Sequence, residues 1–194
     1  MIKGETGGQN LLNRIEANPV IAAVRSEGEL QAALDSPVST VFLLHADIFN
    51  LSSMVDRIQA SGKSALVHMD FLEGLGRDNR AIDYLKERIR PDGIISTKSG
   101  HVKYAREQGL FAVQRFFLID SQSYENSIKT ALQIKPHMVE VMPGIIPRVL
   151  ERITKQLDIP IIAGGLIETK EEVVEILKAG AWGISTGNSS LWRI

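Results

Sequence analysis

The sequence predicts an α/β fold: a compact single-domain (β/α)8 TIM barrel with short loops and a truncated last helix. Apolar runs of about four to six residues alternate along the chain with amphipathic runs of about nine to eleven. The apolar runs are continuous rather than alternating, which is typical of parallel strands buried on both faces. Eight such runs separated by seven helical patterns favour a closed barrel over an open sheet.

Each predicted strand is a short apolar run, and turn-forming residues precede most of them. Examples are Ser61-Gly62-Lys63, Pro91-Asp92-Gly93 and Ala179-Gly180-Ala181. The eight predicted strands are Val20–Val24, Val41–Leu44, Ala65–Met69, Gly93–Ser96, Phe111–Phe116, Met138–Val141, Pro160–Ala163 and Gly183–Ser185.

The predicted helices lie between the strands, where apolar residues recur at helical spacing. They are Ser26–Leu34, Leu51–Ala60, Arg80–Ile89, Gly100–Gln108, Ser123–Gln133, Pro147–Leu157 and Glu171–Ala179. After the eighth strand only a short segment ending at Ile194 remains, so we expect the last helix to be truncated. We also expect Met142, Trp182 and Trp192 to pack in the core.

The composition is that of one globular domain. We expect residues 1–18 to form a flexible arm or short helix and residues 19–194 to form the barrel. The 194 residues include no cysteine, which excludes disulfides and thiolate chemistry and suits a cytoplasmic location. No apolar run approaches the roughly 20 residues that span a bilayer, so no membrane partner is expected.

The charge balance does not mark the chain as a nucleic-acid binder. The net charge is −1 and the pI about 6.4, whereas nucleic-acid-binding domains usually carry a basic stripe. The most basic stretch, residues 77–107, has eight Lys and Arg against five Asp and Glu. A solvated helix face explains this pattern as well as an RNA-binding surface does.

Two glycine-containing turns give the strongest functional signal. Gly164-Gly165 follows the seventh predicted strand, and Thr186-Gly187-Asn188 follows the eighth. TIM barrels hold phosphates at these two turns, because glycine lets backbone N–H groups approach an anion and a helix N-terminus adds a favourable dipole. One such turn alone is more typical of a turn without a ligand, but two in tandem favour a phosphate. Glu168 weakens this prediction unless it points outward.

Polar residues stand at or just after most predicted strands, where a TIM barrel places its ligand-facing groups. We therefore predict that Gly164, Gly165, Thr186, Gly187 and Asn188 bind the phosphate. The predicted ligand-facing rim consists of Arg25, His45, Asp47, His68, Asp70, Lys98, Arg115 and Glu140.

Within this rim, His68 and Asp70 form the sharpest pair. Strand alternation points them to the same side, so they can orient one another or share a ligand hydroxyl. With His45 and Glu140 they can also form a metal site. Because His-x-Asp is a common pattern, the hydrogen-bonding interpretation is favoured and no metal is predicted.

Two cationic residues have competing interpretations. Arg115 interrupts an apolar strand, and a buried arginine is costly unless an anion pairs with it. That anion can be a ligand phosphate or a carboxylate such as Glu140. Lys98 can be an aldolase-type amine, an anion contact or an ordinary surface lysine.

Six segments, taken in order, resemble the glycerol uptake operon antiterminator regulatory protein family. The resemblance runs from about Pro19 to Trp192, and the ordered set is more specific than any one segment. The segments are VHMDFLEG at 67–74, PDGIISTK at 91–98, VQRFFLID at 113–120, VEVMPG at 139–144, PIIAGG at 160–165 and STGNSSLW at 185–192.

The resemblance implies a cytoplasmic regulator that responds to glycerol 3-phosphate. It implies that such a protein binds leader mRNA of glycerol-utilisation genes and prevents transcription termination. Glycerol 3-phosphate would be its effector, with no other cofactor and no catalytic residue. The glycine turns would hold the phosphate, and the side of the rim with His68 and Asp70 would meet the glycerol hydroxyls. Whether the chain forms a homo-oligomer is left open.

Two other functions stay open, because a barrel fold does not decide function. One is a TIM-barrel enzyme, an isomerase, aldolase or lyase, acting on a small phosphorylated substrate. In it Asp70 or Glu140 would be the general base, and Lys98 or His68 the acid or electrophile. The other is a phosphometabolite-binding protein whose partner is a protein.

Overall fold

The computed structural model describes residues 3–194, with side-chain surroundings from Gly8 onward. Eight parallel strands close into a barrel, each beside its neighbour in sequence, which confirms the predicted fold. Closure places the last strand against the first, with Ile21 beside Ser185. The barrel strands are β1 Val20–Val24, β2 Thr40–Leu43, β3 Ser64–His68, β4 Gly93–Ser96, β5 Phe111–Phe117, β6 Met138–Met142, β7 Ile161–Gly164 and β8 Gly183–Thr186.

One helix precedes the first strand, and an α-helix follows each of the first seven barrel strands on the outside of the barrel. A short 3-10 helix, Ser189–Arg193, takes the place of a full helix after β8, as the sequence predicted. The α-helices are α1 Lys3–Ala17, α2 Glu27–Leu34, α3 Leu51–Ala60, α4 Asn79–Tyr84, α5 Ser99–Glu107, α6 Ser121–Ile134, α7 Pro147–Thr154 and α8 Lys170–Lys178. After α4 the chain continues as a π-helical segment, Leu85–Ile89.

Short polar side chains fix where several helices begin. Asp78 accepts a hydrogen bond from the backbone N–H of Ala81 and so starts α4. Asp120 and Thr169 start α6 and α8 with capping boxes, in which the third helical residue bonds back to the cap. Each cap satisfies backbone N–H groups that have no partner within the helix, so short loops suffice between strand and helix.

Two apolar layers account for the core. Strand residues that point outward pack under the helices, and those that point inward fill the barrel. Ile21, Phe42, Leu66 and Val113 belong to the inner layer. Two residues further along β3 and β5, the inward positions are polar, namely His68 and Arg115. The barrel is therefore apolar below and polar near its C-terminal mouth.

Helix α1 covers the opposite end of the barrel. Leu11 and Ile15 are 3% and 0% exposed and belong to the same cluster as the inward-facing strand residues. Arg14 donates to the carbonyl of Gly62 in the turn before β3. This helix therefore leaves the C-terminal mouth as the open end of the barrel.

The structure differs from the sequence expectations in one strand pairing and in one core residue. A two-residue parallel pairing, Ala46–Asp47 with Leu72–Glu73, links the loops after β2 and β3. Trp192 is buried as expected and Met142 is half-buried, but the expectation for Trp182 was wrong because its side chain is 40% exposed. It precedes β8 at the edge of the barrel, where its backbone N–H donates to the Ile161 carbonyl.

In the part of the chain that the structure describes, no helix has the length and apolar character needed to cross a bilayer.

Candidate functional site

Two adjoining cavities open at the C-terminal mouth of the barrel. The narrow lobe, about 300 Å³, is lined by the turns after β7 and β8. The wide lobe, about 560 Å³, is lined by the loops after β2 and β3 and by Phe117 on β5. Both are lined by Arg25, Leu44, Arg115 and Met142. The rim therefore encloses one continuous site with two compartments.

The predicted phosphate-binding turns line the narrow lobe together. Gly165 and Leu166 have positive φ angles of 78° and 61°, so the chain turns sharply after β7. The Thr186 hydroxyl donates to the Ile167 carbonyl at 3.2 Å, and the Asn188 side-chain amide donates to the Glu168 carbonyl at 3.2 Å. These two hydrogen bonds fasten the turns to one another.

Because the side chains of Thr186 and Asn188 bond to the protein, backbone N–H groups are the main free hydrogen-bond donors in these turns. Within the described residues, the backbone N–H groups of Leu166 and Gly187 donate to no protein acceptor. Successive N–H groups in a turn form a concave surface that suits an anion. Glu168 is exposed but also lines the lobe, so its carboxylate limits how strongly the lobe attracts anions.

Arg25 supplies positive charge beside the second turn. One of its guanidinium nitrogens lies 3.8 Å from the position that a Cβ at Gly187 would occupy. Its backbone N–H donates to the Glu29 carboxylate at 2.6 Å, which ties the end of β1 to the first turn of α2. The guanidinium thus lies within reach of an anion held by the Gly187 turn.

A buried charge pair lies below the narrow lobe. Arg115 and Glu140 are neighbours in the register of β5 and β6, and Arg115 Nε donates to Glu140 Oε2 at 2.5 Å. The Ser185 hydroxyl donates to the other carboxylate oxygen, also at 2.5 Å. Arg115, Glu140 and Ser185 are at most 5% exposed. Glu140 therefore compensates the buried arginine, which was one of the two partners expected from sequence.

Gly164 makes room for this network. A Cβ on Gly164 would lie 2.5 Å from the Ser185 hydroxyl and 2.8 Å from Glu140 Oε1. Gly165 has a different constraint, since its positive φ and the methyl group of Met142, 2.9 Å from a Cβ position, both disfavour a side chain. Packing thus accounts for Gly164, and its role in phosphate binding stays a prediction.

His68 lies fully buried at the polar end of the barrel interior. In the described structure neither ring nitrogen has a hydrogen-bond partner, and the ring stacks on Phe71 with centroids 4.4 Å apart. Burial and the nearby Arg115 guanidinium lower the pKa of His68 from 6.5 to about 4, against the opposing effect of Asp70. His68 is therefore neutral at pH 7.

Asp70 is held by the loop after β4. One carboxylate oxygen accepts from the Ser96 hydroxyl, and the other accepts from the backbone N–H and hydroxyl of Thr97, each at 2.7 Å. Burial raises the pKa of Asp70, but these hydrogen bonds outweigh it and hold the pKa below its ordinary value. The carboxylate is thus ionised and fixed at the edge of the wide lobe.

Sequence reasoning missed three polar residues around Asp70. His101 Nδ1 lies 3.4 Å from the Ser96 hydroxyl, and its Nε2 lies 3.2 Å from the Arg77 carbonyl. The Gln114 side-chain amide donates to the carbonyls of Ser96 and Thr97. A polar Ser96 ending an apolar strand, with a histidine five residues later, was the available signal in the sequence.

In the described part of the chain, the side chains of three predicted rim residues take no part in the hydrogen-bond networks around Glu140 and Asp70. His45 is exposed at the wide lobe, with Nε2 3.9 Å from the Glu73 carboxylate. Asp47 accepts hydrogen bonds from the backbone N–H groups of Phe49 and Asn50 and so shapes its own turn. Lys98 is exposed and lies outside the lining of both lobes.

The four residues considered for a metal site do not gather around one point. Glu140 bonds to Arg115 and Ser185, while His45 is exposed beside Glu73. Among the residues that the structure describes, no group of three or more His, Asp or Glu side chains is arranged to hold a metal ion. The narrow lobe can offer a small anion the guanidinium groups of Arg25 and Arg115 and the backbone N–H groups of the two turns.

Comparison with known proteins agrees with the sequence resemblance. Residues 20–192 match the family model described as glycerol-3-phosphate responsive antiterminator. The uncharacterized protein YgcP of Escherichia coli K12 is 39% identical over 184 residues, which are 95% of this chain and 96% of that protein.

Two crystal structures are similar over most of their length. The glycerol uptake operon antiterminator regulatory protein of Listeria monocytogenes is 36% identical, with a TM-score of 0.87 over 90% of this chain and 95% of that one. A glycerol uptake operon antiterminator-related protein of Thermotoga maritima is also 36% identical, with a TM-score of 0.81 over 90% and 98% of the two chains. The chain therefore belongs to the glycerol-3-phosphate responsive antiterminator family, as its sequence segments predicted.

Proposed function

We propose that this protein is an antiterminator whose RNA binding responds to glycerol 3-phosphate. With the effector bound, it binds the leader mRNA of glycerol-utilisation genes in the cytoplasm and prevents transcription termination. The observation that carries the proposal is a lobe of about 300 Å³ lined by both glycine turns, Arg25 and Arg115, in a member of this family.

The contacts at the mouth suggest how the effector would lie. Its phosphate would accept hydrogen bonds from the backbone N–H groups of Leu166 and Gly187. Arg25 would flank the phosphate, and Arg115 would contribute its terminal Nη groups, since Nε bonds to Glu140. The glycerol part would extend from the narrow lobe into the wide lobe, which Asp70 lines.

The engagement of the candidate catalytic groups favours a regulator over an enzyme. Both carboxylate oxygens of Glu140 and both of Asp70 accept short hydrogen bonds from the protein. A general base needs a carboxylate oxygen within reach of a substrate proton. Lys98 lies outside the lining of both lobes, so an aldolase-type amine has no support in the geometry.

The effector can shift RNA binding only if it binds the RNA-competent state more tightly than the other. A test of this function is transcription in vitro through a glycerol-utilisation leader that contains its terminator. We expect readthrough to rise when glycerol 3-phosphate is added with the protein, but not with glycerol or inorganic phosphate. Readthrough that ignores the effector would overturn the proposal. Turnover of triose or pentose phosphates, lost in Asp70→Asn, would favour the enzyme instead.

A further inference from the structure

Seven large apolar side chains are exposed around the mouth of the barrel, each on a loop after a barrel strand or at its last residue. Phe49 and Ile119 are the most exposed, at 90% and 86%. They come from the loops after β2, β3, β5, β6 and β7, so they surround much of the mouth. We call this set the apolar crown: Ile48, Phe49, Phe71, Phe117, Ile119, Ile146 and Leu166.

A set of exposed apolar side chains of this size indicates a binding surface. Single exposed apolar residues are normal, but a cluster beside a binding site usually marks an interaction surface. Elsewhere in the described structure the exposed large apolar residues, such as Leu132, Val174 and Trp182, stand on separate elements. The crown therefore differs from the remaining surface in both number and position.

Cationic side chains with free donors favour an anionic partner at the mouth. Three arginines, Arg25, Arg77 and Arg115, line the wide lobe together with the carboxylates of Asp70 and Glu73. Within the described residues, the side chains of Arg25, Arg77 and Lys98 are exposed and donate no hydrogen bond to the protein. The carboxylate oxygens of Asp70, in contrast, already accept hydrogen bonds from Ser96 and Thr97.

Two crown phenylalanines give the partner a chemical identity. Phe71 and Phe117 are about half exposed and both line the wide lobe, together with Arg25 and Arg77. That lobe, about 560 Å³, adds far more space than the three carbons of the proposed effector need. Unpaired RNA bases stack on aromatic rings while arginines meet the phosphates.

We infer that leader RNA docks on the apolar crown, with unpaired bases stacked on Phe71 and Phe117 above the bound effector. The inference rests on the proposed function, because it takes RNA binding as given and specifies where RNA binds. RNA and effector would then share one mouth, and the factor by which the effector tightens RNA binding would equal the factor by which RNA tightens effector binding. No long-range path through the barrel is required.

The test measures the affinity of full-length variants for the leader transcript in filter binding at saturating glycerol 3-phosphate and fixed salt. Phe49→Ala, Phe71→Leu and Phe117→Ala are compared with Trp182→Ala, an aromatic residue of similar exposure to Phe117 away from the crown. Stacking contributes enough that each crown variant should bind at least about five-fold more weakly. Trp182→Ala should bind like the parent protein.

A second pair of variants tests the competing RNA surface. Arg88→Gln and Lys103→Gln remove exposed charge from the basic outer face formed by the α4 region and α5. If these variants lose RNA affinity while the crown variants keep it, the inference is overturned and the proposed function stands. If the parent protein binds no leader RNA in either effector state, the proposed function fails and the inference falls with it.

The remaining alternative is that a second copy of the chain covers the crown. Sedimentation of Phe49→Ala distinguishes self-association from RNA docking. Because the Phe49 side chain is 90% exposed, its removal should not impair folding. A dimer that dissociates in this variant, with unchanged RNA affinity, would overturn the inference. Unchanged assembly with weakened RNA binding is the expected result.

Discussion

At the residue scale, the most constrained part of the molecule is the buried network below the narrow lobe. Arg115 and Glu140 are both buried and paired, and Ser185 satisfies the second carboxylate oxygen. Removing one partner of such a pair leaves an uncompensated buried charge, which costs much more than an exposed pair contributes. The network therefore holds Arg115 in one position at the floor of the proposed effector site.

Gly164→Ala tests that packing. The added methyl group would overlap the Ser185 hydroxyl and Glu140 Oε1, so we expect a loss of about 1–3 kcal/mol in the free energy of unfolding. Gly100→Ala is the matched control, because no atom lies within 4 Å of its Cβ position in α5. It should be neutral or stabilising by up to about 1 kcal/mol. Urea denaturation measures both, and equal stabilities would refute the packing argument.

Substitutions at Gly187 test whether the turn after β8 binds an anion. Its Cβ position is 3.6 Å or more from the nearest atoms, and its φ is not in the left-handed region. Gly187→Ala should therefore fold and keep most of its effector affinity. Gly187→Asp would place a carboxylate where the phosphate is proposed to lie, and like charges in contact cost several kcal/mol.

Calorimetric titration with glycerol 3-phosphate, using glycerol and inorganic phosphate as controls, measures the difference between the two variants. We expect the aspartate variant to bind at least about 100-fold more weakly than the alanine variant. Similar affinities in the two variants would move the phosphate site away from this turn.

His68 gives the protein a stability that depends on pH. Its folded-state pKa of about 4 lies below its ordinary value of 6.5, so the unfolded chain binds the proton more readily. The contribution of neutral His68 to the free energy of unfolding is fully present above pH 6.5. It is lost as the pH falls from 6.5 towards 4, by about 3 kcal/mol at most. Denaturation at several pH values should show a shallower slope over this window for His68→Leu. An identical slope would show that His68 is already charged or accessible.

At the scale of elements, helix α1 covers one end of the barrel and leaves the end with the two lobes open. Ile15 is fully buried against the inward-facing strand residues, whereas Asn13 is exposed. Ile15→Ala should lower the free energy of unfolding by about 2–5 kcal/mol, while Asn13→Ala should change it little. Thermal unfolding of both variants checks this, and equal melting temperatures would mean that α1 does not pack on the barrel in solution.

The strands were predictable because a parallel strand buried on both faces is recognisable from its own residues. The helix at α1 was harder, since Gly4, Gly7 and Gly8 lower its intrinsic helix propensity. Burial of Leu11 and Ile15 compensates for that composition. The pairing of Ala46–Asp47 with Leu72–Glu73 was not predictable, because two-residue strands carry no periodicity.

The site was predictable only as a set of positions. The rule that ligand-facing groups follow barrel strands places Arg25, Asp70 and Arg115 at one end of the molecule. It does not tell which of them are already bonded to one another. The Ser185 hydrogen bond to Glu140 joins residues 45 positions apart, and the fit of Gly164 against it depends on three strands at once.

At the scale of the whole molecule, the barrel has one end covered by a helix and one open end. Helix α1 covers the first, while the second gathers the two lobes, the unbonded cations and the apolar crown. The proposed placement of effector and RNA at the same end would let a small metabolite change RNA affinity without a change of fold. The net charge of −1 is compatible with this arrangement, because the cations needed are local.

The most direct test of the central claim is the dissociation constant of the leader transcript with and without saturating glycerol 3-phosphate, measured over a series of salt concentrations. Effector coupling of 1–3 kcal/mol is typical of allosteric systems, so we expect RNA binding about 5- to 150-fold tighter with the effector. The same measurement on Gly187→Asp, at an effector concentration that saturates only the parent protein, should show little effector dependence. An RNA affinity that glycerol 3-phosphate leaves unchanged at every salt concentration would contradict the assignment of this protein as a metabolite-responsive antiterminator.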